Sequence, residues 1–150
     1  MKRIIIVLLL MAVSSYGFSQ IQNPVKWTFT SKKIASGKYE VHMVAVIDNG
    51  WHIYSKTTPE GGPVPTLISF NKNPLAQQDG TTKEVGKLEQ HNEPLFGVDV
   101  KQFSNKVDFV QVVKIKGNAK TFITGTVEFM VCNNKQCLPP KAIPFSIALR

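Results

Sequence analysis

The stretch Tyr39-Glu40-Val41-His42-Met43-Val44-Ala45-Val46-Ile47 puts Tyr39, Val41, Met43, Ala45 and Ile47 at every second position. Side chains of an extended strand alternate between two faces, whereas a helix buries residues three and four apart. The spacing therefore predicts a strand with one buried face. Asp48-Asn49-Gly50 then supplies a turn, and Trp51-His52-Ile53-Tyr54 resumes extended chain.

The same parity recurs outward in both directions. Trp27 and Phe29 share a face in residues 26–30, and Val107, Phe109, Val113 and Ile115 share one in residues 106–116. Ile123, Val127, Phe129 and Val131 do so in residues 121–132, and Ile143, Phe145, Ile147 and Leu149 in residues 143–149. Pro59-Glu60-Gly61-Gly62-Pro63-Val64-Pro65 reads as a loop leading into residues 66–70, because proline lacks a ladder donor and glycine weakens a strand. There is no helical stripe, repeat or linker. Six to nine short strands joined by polar turns predict an all-β domain, a β-sandwich first and a barrel second.

At the N-terminus Lys2 and Arg3 precede an apolar run over residues 4–13, followed by Ser14, Ser15, Tyr16, Gly17, Phe18 and Ser19. The run is shorter than the roughly 20 residues of a helical membrane span, and small residues favour cleavage before Gln20. Residues 1–19 are thus expected to be a secretory signal peptide rather than an anchor, and residues 20–150 a single exported domain. A chain of that size builds a core without help from a disulfide. The 18 Lys and Arg against 10 Asp and Glu give a formal charge of +8, but the cations are scattered. This describes a solvated basic surface and argues against nucleic acid as a partner.

Cys132 and Cys137, the only two cysteines, enclose Asn133-Asn134-Lys135-Gln136. Residues flanking so short a hairpin loop can face each other closely enough for a disulfide. If Phe129 and Val131 point into the core, Cys132 points outward, and it is expected near the surface. Two readings stay open, a structural staple and an exchangeable pair. Closing so short a loop stabilises by only about 2 kcal/mol in the chain-entropy picture, which weakens the staple. Exchange requires a sulfur open to an attacking thiolate. A thioredoxin-type motif would have two residues between its cysteines at the start of a helix, and neither condition holds. His42, His52 and His91 are too scattered to complete a zinc site, and no metal, nicotinamide or flavin cofactor is expected.

Three segments in order carry a resemblance: residues 48–54, Asn92-Glu93-Pro94-Leu95-Phe96-Gly97, and residues 129–140 with the last strand after them. Over residues 24–149 the chain resembles the N-terminal periplasmic domain of the thiol:disulfide interchange protein DsbD. The resemblance implies an immunoglobulin-like β-sandwich in the periplasm whose Cys132–Cys137 pair relays electrons. It implies Cys137 as the attacking thiol, Cys132 as the resolving thiol, and a cap loop at Glu93, Leu95 and Phe96. The implied partners are a membrane electron transporter or thioredoxin-like domain on a separate chain, and oxidised thioredoxin-like periplasmic proteins. Stable membrane insertion of the domain itself is not expected.

Leu95 and Phe96 have their own rationale, since large apolar side chains in a loop are expected to cover something, either the sulfurs or the end of the core. Two departures stand out. Four residues separate the cysteines where the best-known relatives have five, and His52 occupies a place where an aromatic residue is expected. His52 and Tyr54 share parity, so both would face the cysteines, where a protonated His52 or Lys135 would favour a thiolate. The competing expectation is a surface histidine on an edge strand. A secreted binding or adhesion module with a static disulfide is the alternative function.

Overall fold

The computed structural model describes residues 22–59, 61–117 and 119–150. The expected signal peptide lies outside them. Eight strands follow one another: β1 (Val25–Ala35), β2 (Lys38–Ile47), β3 (His52–Tyr54), β4 (Leu67–Phe70), β5 (Ala76–Glu93), β6 (Val98–Ile115), β7 (Thr121–Cys132) and β8 (Cys137–Leu149). Among the described residues there is no helix, and none long and apolar enough to cross a membrane.

The all-β expectation holds. One layer is built from β1, β2, β6 and β5, the other from β4, β7 and β8, all pairs being antiparallel. The three residues of β3 pair with both β6 and β7 and stitch the layers into one curled sheet. β1 folds over β7 and β8: the Trp27 ring lies 5.3 Å from Phe129 and the Phe29 ring 5.4 Å from Phe145. Ser31 Oγ donates to the Ala148 carbonyl at 2.6 Å across the same contact. The alternating residues of β2, β6, β7 and β8 meet between the layers, with Val41, Met43, Val107, Phe109, Val127 and Leu149 wholly buried. Burying side chains of this size, at about 1.5–3 kcal/mol each, is what holds the layers together.

One strand is not legible in the sequence and another only in part. β5 was missed entirely, and β6 begins at Val98 rather than near residue 106. β5 loses its regular alternation at register shifts between Asp79 and Lys83 and between Gly86 and Leu88. The first shift leaves backbone carbonyls facing the core, and the buried Gln111 Nε2 donates to the Gly80 carbonyl at 3.2 Å while its Oε1 accepts from Thr82 Oγ1 at 2.8 Å. That explains a polar residue at a core-facing position of β6.

β6 changes partner at Asn105: residues 102–104 pair with β3 and residues 106–114 with β2. Asn105 has φ 65°, the one non-glycine described residue in the left-handed region, which asparagine tolerates better than most. The bend carries the first half of β6 to the end of the molecule where the cysteines lie.

Candidate redox site

Cys132 ends β7 and Cys137 begins β8, opposite each other in the ladder with Cα atoms 4.0 Å apart, and they form a disulfide. The turn between them is fixed by Asn133, whose side-chain Oδ1 accepts from the backbone N–H groups of Lys135 and Gln136, both at 2.9 Å. Its own N–H donates to the Gln136 carbonyl at 2.9 Å. Such a self-bonded asparagine turn sets the two sulfurs without strong demands on the remaining loop residues.

The outward parity of Cys132 is right, but its expected place near the surface is not: it is 0% exposed. The outer face is covered at this end. Tyr54, Val100 and Cys132 form a small apolar cluster, with Val98, Met130 and Cys137 packed against it and separate from the main core. Cys137 retains partial exposure. The two cysteines thus differ in exposure.

Of the two expectations for His52, the structure overturns the surface histidine on an edge strand. His52 lies on a strand bonded on both sides, stands directly opposite Cys132 in the β3–β7 ladder, and is 5% exposed. Opposite residues of an antiparallel pair project to the same face with Cβ atoms about 4.5–5.5 Å apart. Tyr54, two residues on, shares that face, its ring 5.3 Å from the imidazole and edge-on to it. β3 is short, and its exit is anchored by Thr66, whose Oγ1 donates to the Tyr54 carbonyl at 2.6 Å, and by Ser55 N–H, which donates to the Lys101 carbonyl at 2.8 Å.

The third member comes from the end of β5. Glu93 is 2% exposed, and its Oε2 accepts the Tyr54 hydroxyl at 3.0 Å and lies 3.3 Å from His52 Nε2. His52 Nε2 is also 3.1 Å from the Tyr54 oxygen. Because that hydroxyl gives its proton to Glu93, the hydrogen between His52 and Tyr54 resides on Nε2 in the neutral imidazole. A second hydrogen bond setting the tautomer is the usual way of defining which ring nitrogen keeps its lone pair. Nδ1 therefore keeps it here. Burial pushes the His52 pKa below its ordinary value, outweighing the pull of Glu93, and burial with the Glu93 carboxylate pushes Tyr54 upward.

Glu93 also organises the β5–β6 hairpin: its carbonyl accepts from Phe96 N–H at 3.1 Å and from Gly97 N–H at 2.8 Å, with Gly97 at φ 67°. Leu95 and Phe96 follow Glu93 in that hairpin. They are 50% and 37% exposed at the hairpin tip and belong to neither apolar cluster. Lys135 sits exposed at the tip of the cysteine turn, engaged through its backbone. The structure therefore brings together His52, Tyr54, Glu93 and the cysteine pair, and leaves Leu95, Phe96 and Lys135 at the rim.

Sequence reasoning did not reach Val100, Gln102, Glu89 or His91. β6 presents Val100 and Gln102 on the face of Tyr54, and β5 pairs Glu89 with Gln102 and His91 with Val100. Gln102 Oε1 is buried without a hydrogen-bond donor among the described residues. The alternation of Glu89, His91 and Glu93 was the available signal, masked by the polar character of the whole segment.

A disulfide between one partly exposed and one buried cysteine, with an imidazole opposite the buried one, can support thiol-disulfide exchange. Among the described residues no cluster of His, Cys, Asp and Glu could hold a metal ion. The chain is similar in fold to the N-terminal periplasmic domain of ScsB from Proteus mirabilis, at 16% identity and TM-score 0.50, covering 83% of this chain and 44% of that one. It is similar to the DsbD N-terminal domain of Neisseria meningitidis in its reduced form, at 15% identity and TM-score 0.51, covering 81% of this chain and 84% of that one. No curated protein sequence matches. The family profile described as the N-terminal part of the thiol:disulfide interchange protein DsbD matches residues 20–148, and the chain belongs to that family.

Proposed function

We propose that this domain passes electrons between proteins of the periplasm through reversible opening of Cys132–Cys137. The observation that carries this reading is the unequal exposure of the two bridged cysteines, Cys137 partly exposed and Cys132 buried outside the main core. A donor thiolate attacks Cys137 Sγ, the S–S bond breaks, and its electron pair leaves on Cys132. The donor's second thiol then displaces Cys137, leaving the domain with two thiols and the donor with a disulfide. Delivery runs in reverse: the Cys137 thiolate attacks an oxidised partner, and Cys132 resolves the mixed disulfide.

The donor is a thioredoxin-like domain or membrane electron transporter on a separate chain, and the acceptors are oxidised thioredoxin-like proteins. The domain is then one component of a protein-disulfide reductase system. Leu95 and Phe96, exposed two and three residues beyond Glu93, offer the apolar surface on which such partners dock. The export signal at residues 1–19 and a single domain over residues 20–150 belong to the same reading.

Equilibration of the folded domain with glutathione buffers tests it. A relay pair titrates well above about −300 mV, whereas structural bridges tend to lie below that value. A bridge that opens only when the domain unfolds would leave a static staple and a binding module. In the Cys132→Ala variant, Cys137 is expected to retain partners as stable mixed disulfides.

A further inference from the structure

Exchange leaves one demand unmet by the cysteines themselves. Resolution requires Cys132 as a thiolate, yet its site is wholly buried and lined by Tyr54, Val100, Val98 and Met130. Burial disfavours the charged form of a thiol, so an isolated Cys132 would be a poor nucleophile near neutral pH. A proton acceptor must stand close to it.

Every ionisable group facing this end is identifiable. β5 contributes Glu89, His91 and Glu93, and β3 contributes His52 and Tyr54. β6 presents Val100, Gln102 and Ser104, none of which titrates, and the β7–β8 turn adds only Lys135 at its exposed tip. His91 and Glu89 lie one strand further from Cys132, across β6 from β3. Tyr54 has its proton committed to Glu93. His52 is directly opposite Cys132, and Tyr54 and Glu93 engage it through Nε2, which leaves Nδ1 as its proton acceptor.

Resting on the interchange reading, we propose that His52 is the acid–base partner of the Cys132 sulfur, with Glu93 as the residue that positions its imidazole. In the mixed disulfide, His52 takes the Cys132 thiol proton. The Cys132 thiolate then attacks Cys137 Sγ, forms the intramolecular S–S bond and expels the partner thiolate. The imidazolium that remains faces Glu93 Oε2 through its Nε2–H until the proton returns to solvent. In the opposite direction His52 takes a proton from solvent and passes it to the departing Cys132 thiolate. The low pKa imposed on His52 by burial keeps it neutral, and so able to accept, at neutral pH.

The reduced domain mixed with dithiobis-nitrobenzoate separates the two steps. Cys137 attacks first and releases one coloured thiolate; Cys132 attacks next and releases the second. His52→Gln is expected to leave the first phase unchanged and slow the second about tenfold or more at neutral pH, below the full range of general-base effects. The second phase of the natural domain should also fall as pH drops through the His52 pKa, and Glu93→Gln should shift that inflection. Equal second phases in the natural domain and His52→Gln, or equal slowing of both phases, would overturn the proposal. If His52→Gln does not fold, the histidine ring signals of the natural domain decide: reduction should move the His52 titration, and an unmoved titration overturns the assignment. Failure of the natural folded pair to be reduced or to release either thiolate would instead overturn the interchange reading beneath it.

Discussion

The Tyr54 hydroxyl and the Glu93 carboxylate meet at 3.0 Å, joining the strand opposite Cys132 to the tip of the β5–β6 hairpin. Both groups are out of solvent. A carboxylate taken from water must recover its solvation from donors, and here these are Tyr54, His52 and the Leu95 N–H at 3.5 Å.

Tyr54→Phe removes the shortest of those donors and adds nothing in its place. The expected loss is about 1.5–3 kcal/mol, the usual range for a hydrogen bond to a charged group. Urea unfolding of the oxidised domain checks it, with the midpoint falling and the slope unchanged. Unaltered stability would mean that the carboxylate finds water once the hydroxyl is gone.

The pH dependence of stability follows from the direction of the His52 shift. Its folded pKa lies below the ordinary 6.5 because of burial, so just below that pH the unfolded chain binds the proton and the folded one does not. Stability therefore falls as pH drops from about 6.5 toward the folded pKa, and levels off beneath it. Tyr54 acts at the other end: its raised pKa favours the folded state below about pH 10, and this contribution is lost as pH rises further. Replacing His52 with Gln should flatten the acid side only, as read by urea midpoints between pH 5 and 8.

Exposed residues with few contacts change stability by less than about 0.5 kcal/mol when trimmed. The paired variant Leu95→Ala with Phe96→Ala should therefore unfold at nearly the natural midpoint. Reduction by a thioredoxin-like protein should nevertheless slow about tenfold, a loss of about 1.4 kcal/mol of docking energy, while reduction by a small dithiol stays the same. Equal slowing with both reductants would place the two side chains over the sulfurs rather than in a docking surface.

The bend at Asn105 gives a test of how the site is assembled. A β-branched residue is strained at φ 65°, and Asn105→Val should cost about 1–3 kcal/mol, whereas Asn105→Gly should be nearly neutral. Because this bend hands β6 from β2 to β3, the valine variant should also expose Cys132 to alkylation in the reduced domain.

The strands that sequence alternation made legible are those whose inner residues meet in the single main core, as Val41, Met43 and Ala45 do. The site was legible only in pieces, because it is built on the outer face, where alternation predicts exposure. Cys132 is expected near the surface for that reason, and a surface position competes with a place at the cysteines for His52. What buries them is the N-terminal half of β6, with Val98 and Val100 beside Cys132, held in place by β5. β5 carries two register shifts and a largely polar sequence, so its pairing is set by β6 and not by its own pattern. Glu93 was singled out only as part of a resembling loop; its bond to Tyr54 depends on a contact between residues 39 positions apart.

The bridge itself should matter more to potential than to fold. The Cys132–Cys137 separation of five residues closes a short loop, so the chain-entropy contribution is about 2 kcal/mol and the reduced domain should remain folded. Folding and oxidation are linked: whatever the bridge adds to folding stability, folding must add to the bridge. At about 30 mV per 1.4 kcal/mol, a 2 kcal/mol contribution makes the folded pair about 45 mV harder to reduce than the same cysteines in the unfolded chain. Two measurements therefore have to agree, the difference in unfolding free energy between oxidised and reduced domain, and the difference in potential between folded and unfolded pair. A stability difference well above 2 kcal/mol with a correspondingly low potential would mark a structural staple. A difference near or below it leaves the pair poised for exchange, with the buried face around Tyr54 intact in both states.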